Sequence, residues 1–167
     1  MGAKWDALAG LPAPTPLDLT VPPVLRDTPL AMTQENIEVV RRHIEAYDRD
    51  DAAGALASLD DHVILDTTRV SFGGLTGAVS HGHDGVVQEM RSWLGAFEDY
   101  AFEIEQLTDL GGGTVAVVIA ERGRGKGSGV LVERTMAGLY TVLDGKIARV
   151  TFFATEQDPL EAAGLSE

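Results

Sequence analysis

The chain contains no cysteine, which removes disulfides, thiolate metal sites and a cysteine nucleophile and leaves the redox compartment open. It has no apolar run near the ~20 residues that a membrane span needs. Prolines from Pro12 onward interrupt any signal-peptide-like core. The opening Met1-Gly2-Ala3-Lys4-Trp5-Asp6 lacks the Ser or Thr of a myristoylation signal. The expectation is a cytoplasmic protein, neither exported nor lipidated, with no membrane partner. Basic residues are scarce: 13 Lys and Arg against 26 Asp and Glu give a net charge of −13. That field repels phosphate backbones, so nucleic acid is not an expected partner. No serine sits in a nucleophile elbow, so covalent triad chemistry has no support either.

What is present is the make-up of one ordinary globular domain: 167 residues, of which 44% are hydrophobic and 23% charged, enough to bury a core without a staple. Six of the seven prolines fall within residues 1–31, where they fix φ and remove backbone donors. This stretch reads as a Pro-rich N-terminal arm, and residues 32–167 as the domain. Leu17, Leu19 and Val21 make the arm more apolar than a solvated linker needs. Two readings stand: a disordered extension, or an arm docked on the domain or a neighbouring subunit.

From Thr33, a candidate N-cap, Ile37, Val40, Ile44 and Tyr47 recur at helical spacing, with His43 on the edge of the stripe. Asp51 is placed to cap a second, short helix. The strand His62 to Thr68 alternates, with Val63, Leu65 and Thr67 on one face and Ile64, Asp66 and Thr68 on the other. Gly73, Gly74 and Gly77 mark a loop, and Asp84 is placed to cap a helix with the stripe Val86, Met90, Trp93, Leu94 and Phe97. Strands are expected over 101–110, 114–124, 130–143 and 146–154. They are joined by hairpins at Gly111-Gly112-Gly113 and Asp144-Gly145. Asp158 and Pro159 open a short closing helix that Gly164 ends. Helices first and a curled antiparallel sheet afterwards is an α+β fold with no parallel-sheet signature.

Asp66 stands out as an acid among apolar strand residues. Taken out of water, a carboxyl prefers its neutral form, its pKa rises, and it becomes a proton acceptor near neutral pH. The plainer alternative is a strand-end acid bonded to backbone near Thr67 and Thr68. His43 is a candidate hydrogen-bond donor or proton relay, or a satisfied helix histidine. Tyr47 has the same two readings. Met90, Trp93, Phe97, Tyr140 and Phe152 are candidate lining for an apolar pocket, and Arg122 could point into it. His81 and His83 near Asp84 and His62 do not have zinc spacing, so no metal is expected. The glycine-interleaved run from Arg122 to Gly129 lacks the Gly-Lys-Ser/Thr ending of a phosphate loop and reads as a hairpin tip.

Taken in order, Glu45-Ala46-Tyr47, Leu59-Asp60-Asp61-His62-Val63, Gly82-His83-Asp84-Gly85-Val86, Glu121-Arg122-Gly123-Arg124-Gly125 and Leu143-Asp144-Gly145-Lys146-Ile147 resemble the NTF2-like superfamily, in particular its SnoaL-like branch. The resemblance runs from Met32 to about Leu165. It implies an NTF2-like (cystatin-like) cone in which a curved antiparallel sheet wraps a long N-terminal helix around a hydrophobic pocket, and a homodimer formed through the sheet. The same shell hosts isomerases, polyketide cyclases, epoxide hydrolases and non-catalytic binding modules, so activity has to be argued from the pocket. By similarity to ketosteroid isomerases, Asp66 takes the place of the proton-shuttling carboxylate and His43 that of the enolate-binding tyrosine, while Ala137 stands where a second acid would donate. The water-activating acids of limonene-epoxide-hydrolase-like members are replaced here by Arg124 and Thr151. The implied activity is acid/base isomerisation or cyclisation of a small hydrophobic carbonyl compound without cofactor. The alternative is a ligand-binding or protein-interaction module.

Overall fold

The computed structural model describes residues 30–70 and 77–154, with side chains from residue 33 onward. Helix α1 (Leu30–Asp48) buries Val39, Val40, His43, Ile44 and Ala46 on one stripe. It begins at Leu30, so Thr33 lies inside its first turns rather than capping it. The arm before it and the closing helix expected after Asp158 lie outside the described residues.

Asp51 caps helix α2 (Ala52–Ala57), its Oδ1 accepting from Gly54 N–H at 2.9 Å. Strand β1 (Leu59–Arg69) is longer than the alternation alone suggested and buries Val63, Leu65 and Thr67. A short strand β2 (Val79–His81), which the sequence did not announce, leads into α3 (Gly82–Gly95). Asp84 is not the cap of α3. It lies in the first turn, where its charge still favours the positive end of the helix.

Phe97 does not belong to the helical stripe; it opens β3 (Phe97–Gly111). Strands β4 (Thr114–Gly125), β5 (Leu131–Leu143) and β6 (Lys146–Ala154) complete an antiparallel meander. The last hairpin turns on Asp144 and Gly145, both at positive φ (50° and 74°), as a two-residue turn of the primed type requires.

The six strands lie in the order β2-β1-β6-β5-β4-β3. One pairing departs from the expected all-antiparallel pattern: β1 runs parallel to β6, with Leu65 beside Val150 and Asp66 beside Thr151. Neither strand shows this in its own sequence, because the contact joins the first strand to the last. Register shifts, such as that between Glu98 and Ala101 around Asp99 at φ 51°, bend the sheet. The curved sheet wraps α1, and α3 packs on the same side. Fully buried Val40, Val63, Val115, Val117 and Ile147 centre the core, each contributing roughly 1.5–3 kcal/mol by removal from water.

Candidate functional site

Between α1, α3 and the inner face of the sheet lies a cavity of about 100 Å³. Most of its wall is apolar, including Ile44, Val63, Leu65, Met90, Val150 and Phe152. Its polar groups are few: His43, Tyr47, Thr67, Glu89, Tyr100, Arg134 and Tyr140.

His43 is 3% exposed. Its Nδ1 lies 3.0 Å from the Ala55 carbonyl and 2.8 Å from Ser58 Oγ, while the Ser58 hydroxyl donates to the same carbonyl at 2.6 Å. A carbonyl only accepts, so Nδ1 carries the hydrogen and Nε2 is left as an acceptor. Burial lowers the His43 pKa to about 4, against the opposing bond to Ala55. The imidazole is therefore neutral at physiological pH. Its ring meets Tyr47 edge-on at 5.0 Å and Tyr140 at 6.1 Å. Burial raises the pKa of both phenols, so they keep their protons. Gly138 makes room here: a Cβ on it would come within 2.9 Å of the Tyr140 ring and 3.1 Å of Phe152.

A second polar group is built from β3, β4 and β5. Glu121, 4% exposed, accepts from the Tyr100 hydroxyl at 2.5 Å and from Arg134 Nε. The Arg134 guanidinium also lies over the Trp93 ring, 4.9 Å from its centroid. This ion pair is internally compensated: the carboxylate has two donors and the cation an anion and a π face. The third polar contact joins Thr67 to Glu89 Oε1 at 3.0 Å. Glu89 supplies the carboxylate among the lining residues.

Residues 40–150 match the family model of the SnoaL-like domain. The chain belongs to the SnoaL-like family. Among solved structures, it is similar to an NTF2-like protein of unknown function from Burkholderia pseudomallei. That pair shares 21% identity over 78% of this chain and 96% of the other, with a TM-score of 0.63. TerC, co-crystallised with polyporic acid, is 17% identical over 78% and 97% of the two chains with a TM-score of 0.62. An LEH-like epoxide hydrolase from M. tuberculosis is 18% identical over 78% and 90% with a TM-score of 0.58. At these identities the likeness establishes the fold. No curated protein sequence matches the chain.

This SnoaL-like cone does not bring together all the side chains expected at its site. His43, Tyr47, Met90, Trp93, Tyr140 and Phe152 line the cavity, whereas Asp66, Phe97 and Arg122 do not. Asp66 is the main correction. With Leu65 and Thr67 facing inward, alternation turns it to the opposite face, where Thr68 N–H and Oγ1 bond its Oδ1 at 3.0 and 2.6 Å and Arg149 approaches Oδ2 at 3.4 Å. The Thr68 hydroxyl first, then Thr68 N–H and Arg149, hold its carboxyl below the usual range against the opposing effect of burial. It is the strand acid of the plainer reading, ionised at neutral pH, and not a raised-pKa base. Arg122 is exposed on the outer face, in register with Glu133, while its neighbour Glu121 turns inward. Phe97 packs against Trp93 with centroids 5.0 Å apart, in the core beside the cavity. His83 lies 3.9 Å from Asp61. Among the described residues no three His, Asp or Glu side chains converge in a way that could hold a metal ion. No described helix is long and apolar enough to cross a membrane.

Sequence reading missed Glu89, Thr67, Glu121 and Arg134. For Thr67 a signal existed in the alternation: it shares a face with Val63 and Leu65, a more consistently apolar pair than Ile64 and Asp66 opposite. Arg134 and Glu121 are 13 residues apart in sequence and meet only through the β4–β5 register, so neither announces the other.

Proposed function

We propose that this SnoaL-like protein binds a small, mainly apolar carbonyl compound in its cone and moves a proton on it, as an isomerase or cyclase. One observation carries the reading. In an apolar cavity, a neutral imidazole with a free acceptor nitrogen stands edge-on to a phenol that keeps its proton. Tyr47 supplies a donor for a carbonyl oxygen, and His43 Nε2 an acceptor for the hydroxyl of the enol form. The apolar wall supplies affinity at about 25 cal/mol per Å² of ligand surface buried.

Asp66 takes no part. The groups able to receive the proton next to the carbonyl are Glu89 and His43 Nε2. The C–H electron pair forms the C=C bond of the enolate while the carbonyl π pair moves onto the oxygen held by Tyr47, and the proton is then delivered to a different carbon of the conjugated system to give the double-bond isomer. A second reading, ligand binding without turnover, is favoured by the depressed His43 pKa of about 4, since so weak a base removes a carbon-bound proton slowly at pH 7.

Titration with 1-tetralone, an apolar aryl ketone, followed by proton NMR in deuterated water, tests both. Saturable binding with protein-dependent exchange of the protons next to the carbonyl supports the enzyme. Binding without exchange leaves the binding module, and no binding at all removes both.

A further inference from the structure

The Thr67 side chain, 5% exposed, is a junction of four hydrogen-bond contacts. Its Oγ1 accepts from the backbone N–H of Gly77 at 3.1 Å and of Ala78 at 3.2 Å, which occupies its two lone pairs. Its single proton has two acceptors in reach, the Ala78 carbonyl at 3.1 Å and Glu89 Oε1 at 3.0 Å. The Ala78 carbonyl already accepts from Thr67 N–H at 2.9 Å, and a carboxylate is the stronger acceptor. The hydroxyl therefore donates to Glu89. The loop backbone orients Thr67, Thr67 orients Glu89, and the carboxyl group is fixed on the cavity wall.

A carboxylate offers about four acceptor positions, and among the described residues Thr67 is the side chain that donates to one of them. Glu89 is half-buried, and the cavity wall it belongs to is mostly apolar. An occupant that displaces water from Glu89 without bringing a donor leaves an acceptor unanswered, which is costly. An occupant that brings a donor to Glu89 is thus preferred over one of the same shape that does not. The Arg134–Glu121 pair does not compete for this role, because each of its charges is answered by the other.

Resting on the ligand-binding reading above, we infer that Glu89, positioned by Thr67, is a specificity-determining residue that selects ligands carrying a hydroxyl group, a phenol or enol, over the corresponding ethers. The ligand class is then an apolar carbonyl compound that also carries a hydroxyl group, with one oxygen at Tyr47 and the hydroxyl at Glu89.

Calorimetric titration with 6-hydroxy-1-tetralone and 6-methoxy-1-tetralone tests this. The wild-type protein is expected to bind the hydroxy compound about tenfold more tightly or better, as a charged acceptor on a hydroxyl implies. Glu89→Met abolishes the preference, Glu89→Gln narrows it without changing the shape of the side chain, and Thr67→Ser retains it. Equal affinities in the wild type, or a preference that survives Glu89→Met, overturn the role of Glu89 while leaving the binding reading intact. Failure of both tetralones and the parent 1-tetralone to bind overturns the binding reading and this inference with it.

Discussion

His43 and Ser58, 15 residues apart in sequence, meet at 2.8 Å between ring nitrogen and hydroxyl, and this contact joins α1 to the end of α2. The Ala55 carbonyl, which also accepts from Ser58, fixes which ring nitrogen carries the hydrogen. Ser58→Ala leaves only the Ala55 carbonyl to hold the ring, and the expected cost is about 0.5–1.5 kcal/mol. Chemical denaturation measures it, and the ¹⁵N shifts of His43 report whether Nδ1 stays protonated.

The pH dependence of stability follows from the same residue. The His43 pKa falls from 6.5 to about 4 on folding, so between those values the unfolded chain binds the extra proton. Its effect is therefore fully favourable to the folded state above about pH 6.5 and is lost as the pH drops toward 4. The loss is about 3 kcal/mol over that window, from roughly 1.4 kcal/mol per unit. Thermal melts from pH 7 to 4.5 measure the slope, which a His43→Phe variant flattens.

Asp66 behaves differently. Its pKa is lowered on folding, so its stabilising effect is present above the ordinary carboxylate pKa and disappears as the pH falls through the depressed value. Its partner Arg149 is 47% exposed, so Asp66→Asn is expected to cost no more than about 1 kcal/mol. Affinity for a cavity ligand stays unchanged, because Asp66 is on the far side of the sheet. Calorimetric titration of the variant with 1-tetralone checks this.

Removing Arg134 strands Glu121 as a buried charge. Arg134→Met is expected to destabilise the protein by about 3–5 kcal/mol, and the double change with Glu121→Leu to recover much of that. Urea unfolding of the three variants supplies the cycle.

Gly138 is not at positive φ, so its role is one of space. Gly138→Ala drives a methyl into the Tyr140 and Phe152 rings. The expected cost is about 1–3 kcal/mol, with weaker ligand binding as the rings shift, read by melting temperature and titration together.

The elements were largely legible because their signals are local. The apolar stripe of α1, the Asp51 cap and the Asp144-Gly145 hairpin each lie within a few residues. The inward face of each strand was harder to read. The resemblance sets Asp66, Ala137 and Thr151 at catalytic positions of related folds, and Arg122 is a candidate for the pocket wall, yet the structure turns inward their neighbours Thr67, Met136, Phe152 and Glu121. A strand has a period of two, so a slip of one residue exchanges wall for outer surface. The outer face is itself apolar in places, with Ile64 and Phe153, so alternation alone did not choose. Helix residues escaped this ambiguity. The α1 stripe is wide enough to hold His43 and Tyr47 whatever the strand register, and both line the cavity.

The most direct test of the account is an NMR titration of the isotope-labelled protein with 1-tetralone. Saturable shifts of the His43 and Tyr47 rings and the Met90 methyl are expected, with Thr68 and Arg149 unmoved. Shifts confined to the outer face around Asp66, or no saturable shift at His43 and Tyr47, contradict it.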